Sequence, residues 1–109
     1  MSKYLFIETR DPFESTDTRF IEETATALRQ LGHEVTLFLV QNGVVGLRQN
    51  TKIRPLAHMA EAGVRILADD FSLRERGIQP AQLVSGIQLS NIDALVDLLV
   101  QQDTKALWH

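Results

Sequence analysis

Three apolar runs constrain the fold of this chain more than anything else in it: KYLFIET (Lys3 to Thr9), EVTLFLV (Glu34 to Val40) and VRILAD (Val64 to Asp69). Each is dense in aliphatic, β-branched or aromatic residues and lacks the strict polar alternation of a half-solvated strand. The first therefore reads as a strand buried on both faces, and the other two as apolar strands. Strands of this kind, separated by segments of helical periodicity, imply a parallel sheet covered on both sides and joined by right-handed crossovers. At 109 residues and 12.3 kDa the chain has room for one such domain, residues 1–109, and none for a second. The expected fold class is α/β: a single three-layer α/β/α domain with a mainly parallel sheet of about five strands, flavodoxin-like or Rossmann-like.

Between the strands the punctuation is legible. The first strand is expected at the centre of the sheet. RDPFEST follows it, with Ser15, Thr16 and Asp17 as candidate helix caps. A helix from about Asp17 would place Phe20, Ile21, Thr24, Leu28 and Leu31 on one side, and Gly32 would end it in a left-handed C-cap. Gln41, Asn42 and Gly43 break the second strand, and VVGLRQN reads as a brief helical turn. Pro55 opens a further helix, with Leu56, Met59 and Ala60 as its apolar stripe and Gly63 as its stop. The third strand runs into a short helix bracketed by Gly77 and Pro80, and a fourth strand is expected around Ile87 to Leu89. Asn91 caps a last helix in which Ile92, Leu95, Val96 and Leu99 follow the i, i+3, i+4, i+7 spacing, and Thr104 to Trp108 forms a closing strand.

Composition excludes several classes of function. A net charge of -3, with eleven Lys and Arg scattered through the chain, provides no basic footprint for nucleic acid or anionic lipid. The first apolar run is closed by Glu8 and Arg10, and no later run approaches the ~20 residues needed to span a bilayer. A cytoplasmic protein without nucleic-acid or membrane partners is the expectation. Cysteine is absent, which removes disulfides, thiolate metal sites and cysteine catalysis from this chain.

No glycine-rich phosphate loop follows the first strand, and Ser72 and Ser85 lack the GxSxG elbow of a serine hydrolase. His33, His58 and His109 have no metal-ligand spacing and read as structural, His109 at a mobile end; no metal or cofactor is expected. Asp69 and Asp70 are the more informative pair, because they end the third strand at the edge where ligands gather in open α/β sheets. Glu8, Asp11 and Asn42 complete the pocket candidates. Adjacent carboxylates could hold Mg²⁺ with help from Glu8 or Asp11. The favoured reading is that Asp70 caps the following helix while Asp69 is solvated.

The order of features resembles the DsrE/DsrF/DsrH-like family of small sulfur-relay proteins, which includes the TusD-type subunits of tRNA thiolation systems. The resemblance rests on DPFES after the first strand, LGHEV, QNGV, GVRILAD, SLRERGI and GIQLSNIDALVDLLVQQDTKALW, in that order over nearly the full chain. It implies that relatives end the third strand in a cysteine, often as CxxCLxxRGI, and carry sulfur on it as a persulfide. Here the segment is DDFSLRERGI: Leu73, Arg76, Gly77 and Ile78 fit, while Asp69 and Ser72 stand at the cysteine positions. A carboxylate cannot replace the polarisable thiolate in that chemistry.

The function expected on this basis is a non-catalytic DsrE-like subunit or binding module, unable to carry persulfide. The alternative is a carboxylate-based small-molecule or metal-binding enzyme using Asp69 in the same crevice. The resemblance also implies a homo-oligomer and a cysteine-bearing sulfur-relay protein as partner. Phe13, Phe71 and Trp108 could serve an interface, although a core position is the expectation for each.

Overall fold

The computed structural model describes residues 2–11, 17–47, 55–83 and 86–109. The candidate caps Ser15 and Thr16, Phe13, and Ser85 lie outside the described residues. Five strands, β1 (Lys3–Glu8), β2 (Glu34–Leu39), β3 (Arg65–Asp69), β4 (Ile87–Ser90) and β5 (Thr104–Trp108), form one sheet in the order β4-β3-β2-β1-β5. Every neighbouring pair is parallel. The helices are α1 (Thr18–Gln30), α2 (Pro55–Glu61), α3 (Asp70–Glu75) and α4 (Ile92–Leu99), with a 3₁₀ segment over Gln41–Leu47. No helix among the described residues is long and apolar enough to cross a membrane.

The first strand is interior, but β2 is the middle one. The chain steps from β1 to β4 in a single direction, and β5 alone returns to the other side of β1. Right-handed crossovers then send the connections between β1 and β4 over one face and α4 over the opposite face. The buried side chains divide accordingly. Phe6, Val35, Leu37, Leu39, Ile66 and Ala68 pack with Ile21 and Ala25 of α1, Leu56 and Met59 of α2, and Leu73 of α3. Leu5, Ile7, Phe38, Val40 and Leu67 face the other way and meet Leu95.

The two faces are unequally covered. An eight-residue helix is about 12 Å long and 10 Å across, whereas five strands spaced about 4.8 Å apart are roughly 20 Å wide. Leu95 is buried and Leu98 partly so, while Ile92, Val96 and Leu99 of the same periodic pattern remain substantially exposed. Trp108, expected in the core, is 66% exposed, and Phe71 is 56% exposed. The expected stripe of α1 is also narrower than the spacing implied. Ile21 and Ala25 are buried and Leu28 packs against them, but Phe20 and Leu31 project into solvent. Gly32 does end α1 with φ +92, and His33 N–H returns to the Leu28 carbonyl at 3.2 Å.

Gly43 ties the site to the sheet. A Cβ at this position would lie 2.3 Å from the Glu8 carbonyl oxygen. Only glycine lets the 3₁₀ segment pass so close to the end of β1.

Candidate functional site

The C-terminal edge of the sheet brings together the ends of β1, β2, β3 and β5, and it is here that the singled-out residues lie. Asp69 is the last residue of β3 and, with φ -67 and ψ 120, also the N-cap of α3. Its Oδ2 accepts the Ser72 backbone N–H at 3.0 Å and the Ser72 hydroxyl at 2.7 Å. Ser72 Oγ in turn accepts the Gln41 N–H at 2.8 Å. Asp69 and Ser72 are thus one hydrogen-bonded unit, spaced as N-cap and N3 of a helix.

The roles expected for the two aspartates are exchanged. Asp69 is 3% exposed and caps the helix. Asp70 is the half-exposed first helical residue, 3.9 Å from Arg74 in an i,i+4 pair. Extended backbone at the last strand position makes Asp69 the residue able to turn back onto the N–H groups of the first helical turn.

Gln41 has φ +52, a left-handed conformation that costs a non-glycine residue roughly 1–2 kcal/mol. Its hydrogen bond to Ser72 helps to hold it there. Arg76 spans the same region, donating from Nη1 to the Ser72 carbonyl at 3.1 Å and from Nε and Nη2 to Asn42 Oδ1 at 3.2 and 3.0 Å. Asn42 therefore positions an arginine. Asp11 is the last residue of the first described segment, partly buried three residues beyond the end of β1.

A cavity of about 220 Å³ opens beside Asp69 on the α4 side of the sheet. Val40, Ile92 and Leu95 line it together with the aromatic rings of Phe71 and Trp108; its polar lining is Gln41, Asp69, Ser72 and Glu75. Asp69 Oδ1 is buried with no hydrogen-bond partner among the described residues. Such a group costs about 1–3 kcal/mol relative to a satisfied one.

Glu8 is not part of this cavity. It points to the opposite face of the sheet, where it lines a smaller space of about 60 Å³ with Arg10, Glu22, Gly43, Leu39 and Met59 among others. Its carboxylate accepts the Arg10 N–H at 2.9 Å and approaches His109 Nδ1 at 2.9 and 3.0 Å. His109, expected to be mobile, is held at both ends of its peptide unit. Its N–H donates to the Ile7 carbonyl, and its carbonyl accepts from Thr9 N–H and Thr9 Oγ1, each at 2.9 Å. Burial raises the Glu22 carboxyl above its ordinary value of 4.5, with His58 and Arg19 opposing the rise.

The structure thus separates the sequence candidates into Asp69 with Ser72 on one face, Glu8 on the other, and Asp70 and Asn42 outside both cavities. Among the described residues no group of three or more His, Asp and Glu could hold a metal ion. Sequence reasoning missed Gln41, Glu75 and the Glu8–His109 pair. The last depends on β5 returning beside β1, a strand order that no local pattern encodes. Trp108 stands out in the sequence, but its place over the cavity follows only from its register with Ile7.

A family model described as DsrE/DsrF-like matches residues 2–105. Among solved structures, the YchN protein of E. coli superimposes with a TM-score of 0.88 at 21% identity over 100% of both chains. The MTH1491 protein of Methanobacterium thermoautotrophicum, of unknown function, gives 0.75 at 18% identity, again over 100% of both. The BT1422 protein of Bacteroides thetaiotaomicron, also of unknown function, gives 0.81 at 16% identity over 99% of this chain and 95% of that one. No curated protein matches.

Proposed function

The chain belongs to the DsrE/DsrF-like family, and we propose that it serves there as a non-catalytic subunit or binding module that does not itself carry persulfide. One observation carries the reading. None of the 109 residues is cysteine, and the positions that the resemblance matches to the family's cysteines hold Asp69 and Ser72, bonded to each other, with Ser72 also accepting the Gln41 backbone N–H. A relay site needs a thiolate that can take and release sulfur. Here the same crevice is built from a helix cap.

The exposed apolar side chains of α4 and β5 away from the cavity, Val96, Leu99 and Leu107, support assembly with further copies or with a cysteine-bearing relative. Affinity purification from the native source tests the partner reading: recovery of a cysteine-bearing sulfur-relay protein is expected. Repeated recovery of this chain alone would overturn it. Incubation with a cysteine desulfurase and cysteine should leave the chain without a protein-bound persulfide by mass spectrometry.

A second reading is favoured by the unpaired Asp69 Oδ1, which makes the crevice a carboxylate-based binding or catalytic site. Glu8 cannot join Asp69 in it, since the two line separate cavities. Calorimetric titration with Mg²⁺, with Asp69→Ala as control, tests that version; absence of Asp69-dependent heat would eliminate it.

A further inference from the structure

We propose that the cavity beneath α4 binds a small organic ammonium ion, with Asp69 Oδ1 as its buried acceptor. The inference deepens the reading of the crevice as a binding pocket by naming the class of its ligand. Three observations converge on it.

The first is charge. Among the described residues, the charged ones lining the cavity are Asp69 and Glu75, both carboxylates, and none is basic. The second is the acceptor itself. Asp69 is 97% buried by its 3% exposure, its Oδ2 is occupied by Ser72, and Oδ1 has no partner among the described residues. A ligand group that donates a hydrogen bond satisfies that oxygen, and a cationic donor forms the stronger, charge-assisted bond. An anion or a pure acceptor would leave it unpaired.

The third is the remaining surface. Val40, Ile92 and Leu95 provide an apolar wall, and Phe71 and Trp108 add aromatic surface suited to a cation. A hydrated divalent metal fits poorly, because it seeks six or more oxygen ligands and the described residues supply no cluster of three. An apolar cavity of about 150 Å³ accepts benzene. At about 220 Å³ this one suits an amine with a body slightly larger than a benzene ring.

The chain's one tryptophan is Trp108, so its fluorescence reports directly on the cavity. The full chain would be titrated with 2-phenylethylamine, with phenylacetate and MgCl₂ in parallel. The amine should change Trp108 emission saturably by the low millimolar range, and phenylacetate should not. Asp69→Asn keeps a capping side chain but can place an amide donor where Oδ1 stood; it should weaken amine binding at least tenfold. Glu75→Gln, at an exposed position, should weaken it a few-fold and provides a second reading should Asp69→Asn fail to fold. Exposed Glu61→Gln should leave binding unchanged.

Equal binding of amine and phenylacetate, no saturable response to the amine, or undiminished binding by both folded variants would overturn the proposal. A response to Mg²⁺ alone, lost in Asp69→Asn, would overturn it in favour of the metal reading. These outcomes are separate from the partner experiment, which can succeed or fail whether or not the amine binds.

Discussion

Replacing Asp69 with alanine tests whether this carboxylate stabilises the fold or is retained against stability. The substitution removes the N-cap bond to Ser72 N–H, worth about 1 kcal/mol. It also strands the hydroxyl of Ser72, a residue only 4% exposed, at a cost of about 1–3 kcal/mol. Against these stands the relief of Oδ1, a buried acceptor without a partner, of similar size. The last two terms largely cancel, so a net loss of about 1 kcal/mol is expected, equivalent to several degrees in Tm for a domain of this size. Asp69→Asn keeps the cap and an acceptor for Ser72 and should fall within about 0.5 kcal/mol of the parent. Urea unfolding followed by circular dichroism measures each variant. A double-mutant cycle with Ser72→Ala should show a coupling of about 1 kcal/mol. An Asp69→Ala protein as stable as the parent, or more so, would refute the balance and show that the unpaired oxygen outweighs the cap.

Four further outcomes are expected. Gly43→Ala drives a methyl group into the Glu8 backbone carbonyl and should cost about 1–3 kcal/mol in urea unfolding; an unchanged midpoint would show that the segment can shift. His109→Ala removes a largely buried partner of Glu8 and should lower Tm measurably in differential scanning calorimetry, by an amount equivalent to about 1–3 kcal/mol. Because the folded state raises the Glu22 pKa, it binds that proton more tightly than the unfolded chain does. Its contribution is therefore full below 4.5 and is lost as pH rises through the window up to the raised value, and Glu22→Gln should flatten that part of the stability profile. Val96→Asp, on the exposed side of α4, should shift light scattering toward the 12.3 kDa monomer; a parent chain that is already monomeric would contradict the assembly reading.

The site was only partly legible before folding. Asp69 and Ser72 could be singled out from DDFSLRERGI because the strand, the helix and their junction are local events, and local patterns encode them. Which aspartate caps the helix depended on the backbone angles at the junction, and those are set by where β3 leaves the sheet. The expectation of a buried Trp108 failed for a different reason. Hydrophobicity records what a side chain prefers, but a single short helix cannot cover the face on which Trp108 lies.

By itself the sequence determined the parallel α/β class, the succession of strands and helices, and the loss of thiol chemistry. All three follow from composition or from periodicities shorter than one element. Only the tertiary structure decided the strand order, the separation of Glu8 from Asp69, the pairing of Glu8 with His109 and the cavity beneath α4. Glu8 and Asp69 part because β1 and β3 turn these two positions to opposite faces, whereas the Glu8–His109 pair and the Trp108 wall of the cavity depend on β5 returning beside β1, across about a hundred residues of chain.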